Sequence, residues 1–263
     1  MNDKAKILLT DIETSPSKSY LWGLWQEIRS MDFITKDWYI LCFSAKWLGK
    51  KEMISESLPE SKSYKKNPEC DKEIMLKMWD LLDEASIVVA HNGKKFDIKK
   101  INARFIYHGL TPPSPYKVVD TLLEARRHFA FTSNRLGDIG QFLKVGKKMN
   151  TGGFQLWKDC LNGDEKAWRK MVKYCQRDVR LLEKIYLKLR PYMKQHPNLG
   201  IFLDKDRPCC PKCGSNNIQY RGYAVTNVSK FRRFQCQKCG GWGRERMNIL
   251  EKEQSKALAT NIS

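Results

Sequence analysis

The stretch Lys6 to Glu13, Lys-Ile-Leu-Leu-Thr-Asp-Ile-Glu, constrains the fold more than any other part of the chain. Ile7, Leu8 and Leu9 form an apolar run of the length of a buried strand, and Thr14 to Ser17 breaks it. Successive side chains of a strand leave opposite faces, so Asp11 and Glu13 project together while Ile12 points the other way. Two carboxylates at the end of a buried strand raise each other's pKa unless a cation lies between them, and a divalent metal is the usual answer. An isolated Asp-x-Glu is also common at solvated strand ends, so the weight of this one depends on the acids that follow it.

Beyond an aromatic segment with Tyr20, Trp22, Trp25, Phe33 and Trp38, the apolar run Ile40 to Trp47 and the stretch Met53 to Leu58 read as an antiparallel pair joined at Gly49 to Lys51. Trp38 and Trp47 are expected in the core, Trp22 and Trp25 as rings able to stack on bases. Ile74, Met75, Met78, Leu81 and Leu82 recur at helical spacing across Lys72 to Glu84. Ser86 to Ala90 is a β-branched strand that runs through His91-Asn92-Gly93 into a basic helix, with Asp97 near its start, where the helix dipole favours an anion.

Tyr116 to Val119 predicts a further strand, with Asp120 capping the helix after it and Ser133 capping another over Leu136 to Leu143. Lys144 to Gly153, with three glycines and three lysines, predicts a mobile basic loop beside the site. The longest helix follows Asn162 to Glu165 and is stopped by Pro191. Tyr174 and Asp178 stand four apart on it and share a face.

Four carboxylates on one cleft repel unless cations join them, and oxygen ligands suit Mg²⁺ or Mn²⁺. Asp11-Ile-Glu13, Asn92-x-x-x-Phe96-Asp97 and Tyr174-x-x-x-Asp178 resemble, in order, the three motifs of the DEDD 3'-5' exonucleases. The tyrosine places the resemblance with the DEDDy subtype, and the asparagine block is similar to the proofreading domains of family B DNA polymerases. It covers roughly residues 5 to 195.

The resemblance implies an α/β, RNase H-like fold, a mixed five-stranded sheet flanked by helices with its first three strands antiparallel. It also implies two Mg²⁺ or Mn²⁺ ions, Asp11 bridging both, Glu13 and Asp178 holding one and Asp97 the other. Tyr174 would orient the attacking water, while Thr14, Asn92 and Phe96 would contact the 3'-terminal nucleotide. About 70 residues follow the long helix, too few for a polymerase domain, so the expectation is a free-standing nuclease.

Those residues hold two Cys-x-x-Cys-Gly knuckles, Cys210 to Gly214 and Cys236 to Gly240, with 22 residues between Cys213 and Cys236. Cys210, Cys213, Cys236 and Cys239 suit one tetrahedral Zn²⁺, and the module resembles a zinc ribbon. So small a module cannot bury enough apolar surface alone, so the first job of the metal is folding. Cys209 is a bystander, and the four scattered cysteines, Cys42, Cys70, Cys160 and Cys175, read as reduced core thiols.

The formal net charge of +19 points to a polyanion partner. From Arg207 onward there are 11 Lys plus Arg against 3 Asp plus Glu, and with Tyr220, Tyr223, Phe231 and Phe234 this favours nucleic acid, a protein partner at the ribbon being the alternative. No apolar run approaches the roughly 20 residues of a membrane span, and no leader precedes the first strand, which suggests a cytoplasmic, nucleoid or nuclear protein.

The expected layout is a nuclease domain over 1–200, a ribbon over 207–248 and a tail over 249–263. The expected activity is release of nucleoside monophosphates from a free 3' end, DNA favoured over RNA. A non-catalytic nucleic-acid-binding protein and a structure-selective endonuclease on the same scaffold are the alternatives.

Overall fold

The computed structural model describes residues 5–23, 25, 30–203 and 207–260. The chain divides into two compact units, Lys6–Tyr186 and a second containing the chain from Leu187 onward. The division falls in the last turn of the long helix, ahead of the boundary near residue 200 expected from the sequence.

In the larger unit the strands are β1 (Ile7–Thr14), a short β2–β3 ribbon (Lys18–Ser19 and Ile34–Lys36), β4 (Ile40–Trp47), β5 (Ile54–Ser57), β6 (Ile87–Ala90) and β7 (Lys117–Asp120). The helices are α1 (Lys72–Glu84), α2 (Asp97–Tyr107), α3 (Thr121–His128), α4 (Leu136–Phe142), α5 (Gln155–Leu161) and α6 (Glu165–Leu189). Five strands form one mixed sheet in the order β5-β4-β1-β6-β7. β1 pairs antiparallel with β4 and parallel with β6, and β4 is antiparallel to β5, which is the RNase H-like arrangement. Helices flank the sheet.

The central place of β1 explains its composition. Leu8 and Leu9 point to opposite faces and neither is exposed, so both faces are covered. Leu8 and Ile12 join a core with Phe43, Met75, Met78, Leu82, Ile101, Phe105 and Met171, drawn from β4, α1, α2 and α6. Trp38 and Trp47 pack partly buried against it, whereas Trp22 and Trp25 are exposed. Buried Asp71 ties three elements together, accepting from Ile40 N at 2.8 Å, from Arg104 Nε and Nη2 at 2.7 and 2.6 Å, and lying 2.6 Å from His108 Nε2.

Two local expectations need correction. Helix α4 begins with Arg135 in the N-cap position, and Ser133, two residues ahead of it, accepts from Arg135 N at 3.4 Å and donates its hydroxyl to Asp138 at 2.5 Å. Helix α5 lies where the sequence shows only the end of a glycine-rich loop. Its seven residues bury Leu156 and Cys160, too short a stretch for a periodic apolar signal.

The smaller unit carries a three-stranded sheet in the order β10-β9-β8, from β8 (Ile218–Val225), β9 (Lys230–Cys236) and β10 (Trp242–Arg244), with a one-turn helix α7 (Lys252–Lys256) after it. Phe231 and Phe234 are buried here, so these two rings, expected at a nucleic-acid surface, serve as core. A unit this small has few other large apolar side chains to bury. Among the described residues no helix is long and apolar enough to cross a membrane.

Candidate active site and cysteine cluster

Strand β1 delivers Asp11 and Glu13 to one face near the end of its pairing with β4, opposite Ser44 and Cys42, and the register shifts just after Glu13. From below, the Cys175 thiol of α6 meets the Asp11 carbonyl at 3.4 Å and its Oδ2 at 3.7 Å. Asp97 opens α2 with only 3% exposure. Backbone N–H groups of Ile12 and of Asp97 itself donate to its carboxylate, so the strand that carries the first two acids also holds the third.

The β6–α2 connection is built for this delivery. Asn92 has φ 66°, a left-handed conformation that asparagine tolerates better than most residues, and a Cβ at Gly93 would lie 2.4 Å from that of Ala90. Asp120 caps α3, accepting from Leu122 N and Leu123 N at 3.0 and 3.4 Å, as expected. It also accepts from Asn92 N at 2.9 Å and Lys94 N at 3.1 Å, and so clamps the loop ahead of Asp97 to the neighbouring strand end. His91 bridges Thr121 Oγ1 at 2.9 Å and the Asn134 carbonyl at 3.0 Å, and burial lowers its pKa.

Asp178, 2% exposed, and Tyr174 come from one face of α6. Lys148, from the loop between α4 and α5, places its ammonium 2.6 Å from Asp178 Oδ2 and 3.0 Å from the Tyr174 hydroxyl. Nothing in a segment with several lysines distinguishes Lys148 from Lys144 or Lys147; only its side-chain contact does. Phe96 is 39% exposed, with the Lys100 ammonium 5.2 Å from its ring, so it is not a core residue. Thr14, the last residue of β1, is half-buried.

The carboxylates act on one another. Burial raises the pKa of Asp11 well above the ordinary range, and Glu13, Asp97 and Asp178 raise it further. Burial and then Asp178 push Glu13 up to about 8, and burial pushes Asp97 up to about 7. Asp178 is raised by burial although Lys148 opposes the shift. Burial pushes the Tyr174 phenol up to about 12, so it stays protonated near neutrality.

The donor set suits a hard divalent cation: all ligands are carboxylate oxygens, and buried Asp178 Oδ1 has no hydrogen-bond partner. Among the described residues the acids are nonetheless spaced more widely than the cysteines, which form the one set of three or more ligand atoms lying within 4.8 Å of one another.

That set is Cys210, Cys213, Cys236 and Cys239. The Cys210–Cys239 and Cys213–Cys236 sulfur pairs are each 3.6 Å apart, close to the edge of about 3.8 Å that a tetrahedral zinc–thiolate centre requires. Each knuckle turns on its glycine. Gly214 and Gly240 have φ of 69° and 76°, and their N–H groups donate back to the Cys210 and Cys236 carbonyls. The cluster can bind zinc, and Cys209 lies outside it.

Comparisons with known proteins agree with this architecture. Residues 45–190 match the RNase H superfamily, a span that begins after Asp11 and Glu13. DNA polymerase III PolC-type of Ureaplasma parvum serovar 3 is 32% identical over 152 residues, which is 52% of this chain and 10% of that protein. The chain thus spans about a tenth of the length of that relative. Among solved structures, the family B DNA polymerase from the hyperthermophilic archaeon Pyrobaculum calidifontis superposes with a TM-score of 0.53 at 14% identity, covering 72% of this chain and 25% of that one, a likeness of fold.

Proposed function

The chain belongs to the RNase H superfamily, and from that premise we propose that it is a metal-dependent 3'-5' exonuclease that releases nucleoside monophosphates from a nucleic-acid 3' end, DNA favoured. The observation that carries the reading is the gathering of four carboxylates from β1, α2 and α6: burial raises the pKa of each, and Asp97 and Asp178 further raise those of Asp11 and Glu13. Two polymerases of DNA among the similar proteins support the choice of polymer.

In this reading Asp11, Glu13, Asp97 and Asp178 hold two Mg²⁺ or Mn²⁺ ions, which supply positive charge to the attacking and leaving oxygens of the phosphodiester. Tyr174 acts as a hydrogen-bonding phenol that orients water, because its raised pKa rules it out as a base near pH 7. Lys148 holds the Tyr174 oxygen and one Asp178 oxygen, fixing both side chains and adding a cation where the phosphate charge grows. Thr14, Asn92 and Phe96 contact the terminal nucleotide, the exposed Phe96 ring by stacking. The four cysteines hold one Zn²⁺ in a ribbon over 207–248.

The test is to incubate 5'- and 3'-labelled DNA and RNA oligonucleotides with Mg²⁺ or Mn²⁺, beside the Asp178→Ala variant. A 5' label should step down one nucleotide at a time, a 3' label should leave at once as a mononucleotide, and the variant should do neither. Cutting of a covalently closed circle would make the protein an endonuclease. Degradation unchanged in Asp11→Ala would remove the catalytic reading altogether.

A further inference from the structure

The sheet of the smaller unit has one face without a carboxylate. Direct pairing fixes which residues share it: Gln219 with Gln235, Gln235 with Trp242, and Arg233 with Arg244. Arg221 joins them where β8 bulges between Tyr220 and Tyr223, its guanidinium donating to Gln219 Oε1 at 2.8 and 3.1 Å. Arg233 donates from Nε to the Arg221 carbonyl at 3.0 Å. Arg221, Arg233 and Arg244 thus form a row across all three strands. The nearby carboxylate, Glu245, alternates to the other face, where the Tyr220 hydroxyl donates to it.

Like charges directly opposite on paired strands oppose folding, yet among the described residues no ion pair takes up any of these three arginines. Rings support the cations instead. Arg244 lies 3.6 Å over Phe231 and Arg233 4.9 Å over the ring of Trp242, a residue 43% exposed. Neighbouring strands lie about 4.8 Å apart, so the row is on the order of 10 Å long, enough for two or three successive phosphates of one strand.

We propose that this face, Arg221, Arg233 and Arg244 with Trp242, is a binding platform for single-stranded nucleic acid, the arginines taking successive phosphates and Trp242 stacking on a base. Charge complementarity selects a polyanion, and the exposed ring beside the cations selects unpaired bases over a duplex, whose bases are stacked on one another. The inference rests on residues of the smaller unit only and survives failure of the nuclease reading.

The experiment uses the full chain with its zinc retained and no added Mg²⁺ or Mn²⁺. Fluorescence anisotropy is read with labelled oligothymidylate and oligouridylate about 15 nucleotides long, across a salt series. Arg221→Ala/Arg233→Ala/Arg244→Ala should weaken both probes at least about tenfold and lower the slope of log affinity against log salt by about two. Trp242→Ala should weaken binding about tenfold with the slope unchanged. The triple arginine-to-lysine variant keeps the charge and should keep the slope, which separates lost contacts from a misfolded sheet. Val225→Ala, an exposed position on the opposite face, should bind as wild type. Wild-type binding by both the triple alanine and the Trp242→Ala variants, or polyglutamate held as tightly as the oligonucleotides, would overturn the proposal.

Discussion

The two units are organised around opposite kinds of centre. In Lys6–Tyr186 a large apolar core is complete by itself, and the carboxylate site at the end of β1 is a cost that core carries. From Leu187 onward the order reverses: few large side chains are buried, and the four sulfurs sit where a metal would hold the knuckles to the sheet. One region buries charge that works against its stability, whereas the other lacks the area to fold on burial alone. A metal is therefore expected to serve chemistry in the first and architecture in the second.

The largest expected effect probes the cysteines. Zinc removal, or Cys213→Ser, should forfeit on the order of 10 kcal/mol of binding free energy. Residues 207–248 should then become protease-sensitive while the larger unit melts at its usual temperature. Common melting of the two units would break the comparison.

Next is Asp11→Asn, which should cut exonuclease activity by about a thousandfold while raising the metal-free melting temperature at pH 8, since the cost of burying that carboxyl group is gone. A lower melting temperature in that variant would show that the acids are not in conflict. Of similar or smaller size, Leu82→Ala should destabilise the larger unit by about 2–5 kcal/mol in denaturant titration and leave zinc affinity unchanged.

Smaller again is Asp120→Ala, which keeps every proposed metal ligand and removes the clamp on the Asn92–Lys94 turn. It should cost about 1–2 kcal/mol and reduce activity mainly through kcat. The last effect is a pH dependence. A carboxyl group whose pKa is raised on folding stabilises the fold when protonated. The contribution of Glu13 is thus full below its ordinary 4.5 and is lost as pH rises through about 8. Metal-free protein should melt at a lower temperature at pH 8.5 than at pH 5, and Mg²⁺ should narrow the gap.

Much of this was legible in short patterns. The apolar run at β1, the helical spacing of α1 and the length of α6 announce themselves because one buried face repeats at the period of its own element. The knuckles are equally local, since spacing and a left-handed glycine define them. Other features carry no such pattern. Helix α5 is too short to show a period, and the N-cap of α4 falls at Arg135, two residues past Ser133, whose oxygen accepts from Arg135 N ahead of the helix. The second role of Asp120 depends on β6 and β7 being neighbours, a pairing between residues about 30 apart.

By itself the sequence determined the order of the five sheet strands and the longer helices, the residues bearing carboxylates and thiols, and the alternation that puts Asp11 beside Glu13, because all of these follow from local patterns within one element. Only the tertiary structure decided that the Ile12 N–H holds Asp97, that Lys148 and not its neighbours reaches Asp178, and that three arginines line up across a sheet while Phe231 and Phe234 are withdrawn into it. Those outcomes depend on distances between residues far apart in the chain, which burial and pairing set and which no local pattern encodes.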